Sequence, residues 1–431
     1  MQFPHGRRQR KSLKECTRNF TWGWYTVVMG TGSLTSLASR FHFGGNTLGL
    51  RIFALVLFLL NLVLFIIISS MTVARFMSYP ELFLKSLRHP IQGYYIGAFS
   101  IAVSNIIDGA VFVNRAFHFG GKGFLYTLWG FWWANLGIAL VTTFAMLYIM
   151  YERIRLQVIP NSSHIRSSTP HHSLDVVLCL WVFPVITLVV VSAAGGSVAL
   201  SLISHSECHA LATTAVSFSA LIIGLSLTLL MLTDYFLRLL IHGVPKGSLV
   251  LSSFLILSPL GEGGFSFLIN GENLSVLMSR EPQKWEALPF PRLFGQIIFV
   301  SCLALAWTLW SFALAWTTIS SGSLYIATIG RKSRIPFSLS YWSVIFPNGV
   351  FALCSVQLGR VLNSTFFDYF GVVWTGGSPR FPEVILNRSL SVIVLILWVS
   401  IAARTIPAIW DTSIFAAPEA LPSRSGDCEV L

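Results

Sequence analysis

Ten runs of mostly apolar residues, with Arg388 near the start of the last their one interior Lys or Arg, occupy most of this 431-residue chain. They lie near 20–39, 52–74, 91–114, 124–150, 176–204, 211–233, 247–270, 293–317, 339–360 and 384–403. A bilayer crossing takes about 20 apolar residues at helical rise. In hydrocarbon the backbone N–H and C=O groups must be paired internally, which selects helices here. The runs predict an all-α membrane protein of ten transmembrane helices in one embedded domain over 20–404. A basic tail (1–19) and a polar tail (405–431) flank it. With 54% hydrophobic and 11% charged residues, the chain has more apolar surface than a water-soluble core could hide. The first run follows the basic tail with no small-residue cleavage site, so no signal peptide is expected.

The formal net charge of +12 would suit nucleic acid if it were clustered on a soluble face. Its distribution points to membrane topology instead. With the N-terminus inside, 19 of the 29 Lys and Arg fall on the inner side and 10 on the outer side. That bias predicts both termini in the cytoplasm, lipid rather than nucleic acid as the partner, and a tail, RRQRKSLK, attracted to anionic headgroups. The sequons at Asn273, Asn363 and Asn387 then fall in predicted outer loops, as candidate glycosylation sites. Six scattered cysteines suggest no disulfide framework.

The spans differ by parity. The fifth carries Pro184, the seventh carries Pro259 with Gly261, Gly263 and Gly264, and the ninth carries Pro347. The first has Gly30 and Gly32, and the third has Ser100, Ser104 and Asn105 before Asp108. Even spans read as uninterrupted apolar rods, such as FALVLFLLNLVLFIII. A proline removes a helical hydrogen bond, which membrane depth tolerates where protein or a water-filled cavity re-satisfies the freed groups. Odd helices are therefore expected inside and even helices outside, as five hairpins around a central path. The competing reading is that glycine and proline mark packing seams between helices.

Asp108 and Glu262, the latter in LSPLGEGGFSFL, are the carboxylates placed well inside spans. Buried acids face the protein interior and find partners or protons. Each either tunes the charge of a central path or fastens one helix to another. His205, Cys208 and His209 could place donors on one face, but nothing nearby completes a ligand set, so no metal is expected. GGKGF at 120–124 lacks the spacing of a phosphate-binding loop, no cofactor is expected, and no nucleophile with a neighbouring base suggests an enzyme. Transport down an electrochemical gradient remains.

Several stretches carry a resemblance: FTWGWYTVVMGTGSLTS, YPELFLKSLRHPIQGYYIGAFS, WVFPVITLVVVSAAGGSVA, HALATTAVSF, YFLRLLIHGVPKGSLVLSSFLILSPLGEGGFSFL and PFSLSYWSVIFPNGVFAL. Together they resemble the tellurite-resistance and dicarboxylate transporter family, in particular its fungal sulfite efflux branch. The resemblance implies five hairpins around a central pore, assembly as a homotrimer, and a pore-plugging phenylalanine beside a proline in the ninth helix. Phe346 in SVIFPNG matches that position. Two stretches depart from the branch: PLGEGG has Glu262 where a glutamine is usual, and Phe99-Ser100-Ile101-Ala102 replaces FPMG. The implied activity is export of a small anion, sulfite or hydrogensulfite, across the plasma membrane, stabilised by backbone N–H groups and helix dipoles rather than by a buried cation. Two further readings are a proton-coupled carrier of malate or another four-carbon dicarboxylate, and an intramembrane enzyme or lipid-binding protein.

Overall fold

A computed structural model describes residues 11–40, 47–89, 91–158, 179–280, 285, 290–331, 335–364, 366–367, 370 and 392–415. Among them there is no strand. The helices are α1 (Leu13–Arg18), α2 (Tyr25–Ser39), α3 (Leu48–Ser78), α4 (Glu81–Arg88), α5 (Gly97–Phe117) and α6 (Gly121–Val158). They continue with α7 (Phe183–Leu202), α8 (Glu207–His242), α9 (Leu257–Arg280), α10 (Pro291–Tyr325), α11 (Trp342–Leu362) and α12 (Val392–Trp410). Eight helical segments, containing α3 and α5–α11, are long and apolar enough to cross a bilayer, while α2 and α12 are shorter apolar helices. The chain is a multi-pass membrane protein.

Contacts between helices sort them into two sets. Helix α2 touches α5, α5 touches α7, α7 touches α9, α9 touches α11, and α11 returns to α2. Around this cycle, α3 packs on α2, α6 on α5 and α7, α8 on α7 and α9, α10 on α9 and α11, and α12 on α11 and α2. Burial follows the same division: 94% of the apolar window around α7 and 89% of that around α9 is buried, against 28% for α3 and 22% for α10. The exposed face of α3, with Ile52, Val56, Leu59, Val63 and Ile66, is aliphatic, as contact with acyl chains requires.

All five helices of the cycle begin in the same way. A 3-10 segment precedes each: Trp22–Trp24, Gln92–Ile96, Cys179–Val182, Gly247–Ile256 and Leu339–Tyr341. These segments touch one another in the same cyclic order, so the five helices run in one direction with their N-termini gathered at one end. The tighter i→i+3 winding lets aromatic-rich strips converge there before the wider α-helices begin. Outer helices start differently. At α8, for example, the Ser206 hydroxyl accepts from His209 N and caps the helix.

Several expected boundaries move. The basic tail contains α1, closed by a capping box in which the Ser12 hydroxyl accepts from Glu15 N and a Glu15 carboxylate oxygen accepts from Ser12 N. The polar tail expected from 405 starts later, because α12 runs through Trp410 and Phe415 stacks on Trp24 with ring centroids 5.4 Å apart. Helix α6 continues through Val158, past the end of the apolar run near 150. The short helix α4, absent from the sequence reading, offers Ser86 to the Trp22 indole N–H at 3.3 Å.

Candidate functional site

On the axis of the five-helix cycle lies a small polar cavity. Helix α2 gives it Ser33 and Ser36, and α5 gives Ser104, Asn105 and Asp108. Helix α7 adds Val190, Ala193 and Ala194, α9 adds Glu262 and Phe265, and α11 adds Val350 and Leu353. The spacings are those of one face on each helix, i to i+3 or i+4. Every helix of the cycle thus turns a stripe to one shared space. The space open to a water centre is about 10 Å³, room for roughly one water molecule.

Its polar groups are held by helical back-bonding and by neighbouring helices. Ser33 donates to Gly30 O (2.9 Å) and Ser104 to Ser100 O (3.1 Å). The Asn105 amide donates across to Met29 O of α2 at 3.3 Å. Outside the cavity, Asn135 of α6 locks α5 in rotation: its amide donates to Ser100 O (3.1 Å) and Ser104 Oγ (2.9 Å), and its carbonyl accepts from Ser100 Oγ (3.0 Å).

At the C-terminal end of the cavity stands an ion pair that the sequence reading did not contain. Arg40, the residue capping α2, donates from Nη1 to Asp108 Oδ2 (2.7 Å) and from Nη2 to Asp108 Oδ1 (2.6 Å). Ser36 donates to the same Oδ2 at 2.8 Å, and Arg40 Nη2 also donates to Ser197 Oγ of α7 at 2.7 Å. The guanidinium carbon lies 5.0 Å from the centre of the Phe265 ring. Both side chains are largely enclosed, 22% and 12% exposed. Bidentate geometry with charge-assisted bonds makes this a strong contact. Asp108 thus both fastens α5 to α2 and presents its carboxylate to the cavity.

Glu262 reaches the cavity from α9 and is buried, and its Oε2 has no hydrogen-bond partner among the described residues. Among the described residues it caps no helix and has no ion-pair contact within 4 Å. Of the glycines, prolines and acids expected along a path, Asp108 and Glu262 line the cavity.

The prolines and glycines lie at helix starts and packing seams. Pro184 lies in the first turn of α7, where a missing N–H is tolerated, and its carbonyl accepts from Thr143 (2.8 Å) and Thr187 (2.7 Å). Pro259 is likewise in the first turn of α9, and Pro347 alone is interior, in α11. All three are buried, so none faces lipid. Gly30, Gly32, Gly261 and Gly263 are seam positions rather than cavity lining. A Cβ on Gly261 would fall 2.8 Å from the Phe351 backbone, on Gly263 2.9 Å from Leu225 of α8, and on Gly30 3.3 Å from Ile345. Phe346 is 1% exposed, one helical turn before the cavity-lining Val350 on α11.

Two expectations are corrected. Asn273, placed in an outer loop by the sequence reading, is inside α9 with 0% exposure and donates to Gly196 O at 2.8 Å, which leaves no room for a glycan on its amide. Asn363 is exposed at the end of α11, and Asn387 lies outside the described residues. The expectation of a path without a buried cation also fails, because Arg40 backs the cavity wall. In sequence Arg40 falls between the first two apolar runs, where it reads as a loop charge. The signal was there: Ser33, Ser36 and Arg40 follow one helical face at i, i+3 and i+7. His209, by contrast, packs against Trp129 with ring centroids 4.7 Å apart.

A multi-pass helical bundle whose innermost helices share a polar axial cavity is the architecture of a membrane channel or transporter. The chain belongs to the SLAC1 voltage-dependent anion channel family, whose profile matches residues 19–406. It is 28% identical over 395 residues to the sulfite efflux pump of Trichophyton rubrum, covering 90% of each chain. With the sulfite efflux pump of Candida albicans it shares 26% identity over 363 residues, 82% of this chain and 69% of that one. The malic acid transport protein of Schizosaccharomyces pombe is more distant, 22% identical over 362 residues, 83% of this chain and 75% of that one. These relatives are transporters and channels, not enzymes.

Proposed function

We propose that the chain exports a small anion, sulfite or hydrogensulfite, down its electrochemical gradient along the axis of the five-helix cycle. The observation that carries this reading is the cavity to which all five cyclic helices contribute. In this reading α2 and α12 also cross the bilayer, giving ten helices as five hairpins around a central pore. The inward bias of Lys and Arg puts both termini in the cytoplasm, with the C-terminal ends of the cyclic helices outside. The plasma membrane and a homotrimeric assembly belong to the same proposal. A cytoplasm-negative membrane favours the exit of each negative charge by about 2.3 kcal/mol per 100 mV, so efflux needs no ATP.

Phe346 is the proposed gate. It lies one turn from Val350, on the N-terminal side of a cavity with room for roughly one water molecule. Weak binding suits rapid release, and a cavity wall that mixes serine, asparagine and aliphatic side chains with the carboxylates of Asp108 and Glu262 offers an anion no tight hold.

A second reading has an observation of its own. Glu262, in the cavity wall with its Oε2 unpartnered among the described residues, suits a proton-coupled carrier of malate or a similar dicarboxylate. The two are separated by expressing the protein in sulfite-sensitive cells, measuring survival and sulfite release, and measuring labelled malate uptake in parallel. Sulfite release without malate uptake is expected. Malate uptake that rises with acidity, with no gain in sulfite release, overturns the sulfite reading. Phe346→Ala should raise anion current in patch recordings, and currents at the wild-type level would remove the gate assignment.

A further inference from the structure

The C-terminal end of an α-helix is the negative end of its dipole, so an anion leaving past five such ends needs a cation there. The cyclic helices place Arg115, Arg280 and Arg360 in the last turns of α5, α9 and α11, and Arg40 immediately after α2. Of these, Arg40 stands directly behind the cavity wall. Its fork is filled by a carboxylate from the protein itself.

We propose that Arg40, with Ser36 and Ser197, forms a binding subsite for a small oxyanion, and that the Asp108 carboxylate occupies it as a tethered stand-in that a passing anion must displace. A carboxylate is itself a small oxyanion with two adjacent oxygens. The contacts that Asp108 takes, two from the guanidinium at 2.6 and 2.7 Å and one from Ser36 at 2.8 Å, are those that a free oxyanion of similar size would take. The guanidinium keeps its aim without Asp108, because Ser197 holds Nη2 at 2.7 Å and the Phe265 ring lies beneath it. Ser197 is oriented in turn by donating to Ala193 O. Position completes the argument: Asp108 lines the cavity while Arg40 lies behind it and is 22% exposed, so the pair separates the cavity from the surface. Ser104, one turn before Asp108 on the same face, could serve a carboxylate that swings inward only by giving up its bond to Ser100 O.

This inference deepens the anion-transport reading and rests on it for the direction of traffic, but its test needs no transport. The full chain is purified in detergent, and sulfite binding is titrated by the rise in Tm under anaerobic conditions. Asp108→Asn, Arg40→Gln and the double variant are compared with wild type. An asparagine keeps the shape but offers one oxygen and no charge, so it is a poor plug. Asp108→Asn should bind sulfite on the order of tenfold more tightly, within the range of ordinary coupling between competing groups. Arg40→Gln and the double variant should lose that binding. If the pair merely fastens two helices, the double variant will bind as tightly as Asp108→Asn, or Asp108→Asn will match wild type, and either result overturns the subsite. Should Asp108→Asn not fold, Ser197→Ala replaces it: severalfold weaker sulfite binding supports the subsite, and unchanged binding overturns it. If the binding pattern is as expected while cells release no sulfite, the subsite stands and the export reading falls. If cells release sulfite while Asp108→Asn gains no affinity, the reverse holds.

Discussion

Gly32 of α2 faces Asn105 of α5 so closely that a Cβ on the glycine would fall 2.6 Å from the Asn105 Cβ. This seam joins two cyclic helices directly behind the cavity wall that Asn105 helps to build. Gly32→Ala must push α2 and α5 apart, and overpacking of this kind costs about 1–3 kcal/mol. A lower Tm in detergent and reduced anion flux are the expected results. Gly130→Ala on α6, where a Cβ would meet nothing within 4 Å, should leave Tm unchanged or raise it slightly.

Helix α12 is attached to the cycle by two indole hydrogen bonds. Trp342 of α11 donates to Thr405 Oγ1 at 2.9 Å, and Trp398 of α12 donates to Thr31 Oγ1 of α2 at 3.0 Å. Thr405→Val keeps the shape and leaves the buried Trp342 N–H without a partner, which costs about 1–3 kcal/mol. The loss should appear as a lower Tm and as faster proteolysis after α11. An unchanged Tm would show that α12 is held by apolar contact alone.

Glu262→Gln removes a charge from the cavity wall without changing its shape. Ionised, Glu262 repels a passing anion; as pH rises and more of it ionises, wild-type flux falls. The glutamine variant should conduct at least as well and show a flatter pH profile. Nitrate flux into proteoliposomes between pH 5 and 8 tests this with an anion that does not itself titrate there. A reduced protein level with an unchanged profile would make Glu262 a structural fastener.

Asn363 stands exposed in a left-handed turn at the end of α11, within Asn363-Ser364-Thr365. If the C-terminal ends of the cyclic helices face outward, Asn363→Gln should remove a glycosidase-sensitive shift in gel mobility. Asn273→Gln should remove none, since that amide is buried and donates to Gly196 O. A shift lost on substitution of Asn273 would contradict its burial in α9.

The linear pattern was enough to identify helices, count the apolar runs and sort inner from outer. Bilayer thickness sets the length of a crossing, and the absence of water forbids an unpaired backbone, so composition alone constrains that much. The division of α7 and α9 from α3 and α10 was legible because proline, glycine and serine are tolerated only where protein covers them. What those residues do was not legible. Pro184 and Pro259 look alike in sequence as helix breakers, yet both sit where a 3-10 segment becomes an α-helix, a boundary defined by the convergence of five chains. Gly261 and Gly263 differ by two positions and so point to different neighbours, α11 and α8. Arg40 reads as a loop charge until α5 and α7 bring Asp108 and Ser197 within 2.7 Å of it. A cavity assembled from one stripe on each of five helices, and an ion pair joining residues 68 positions apart, exist only after helix rotation and order are chosen. Side-chain packing makes that choice, and no local stretch of the chain contains it.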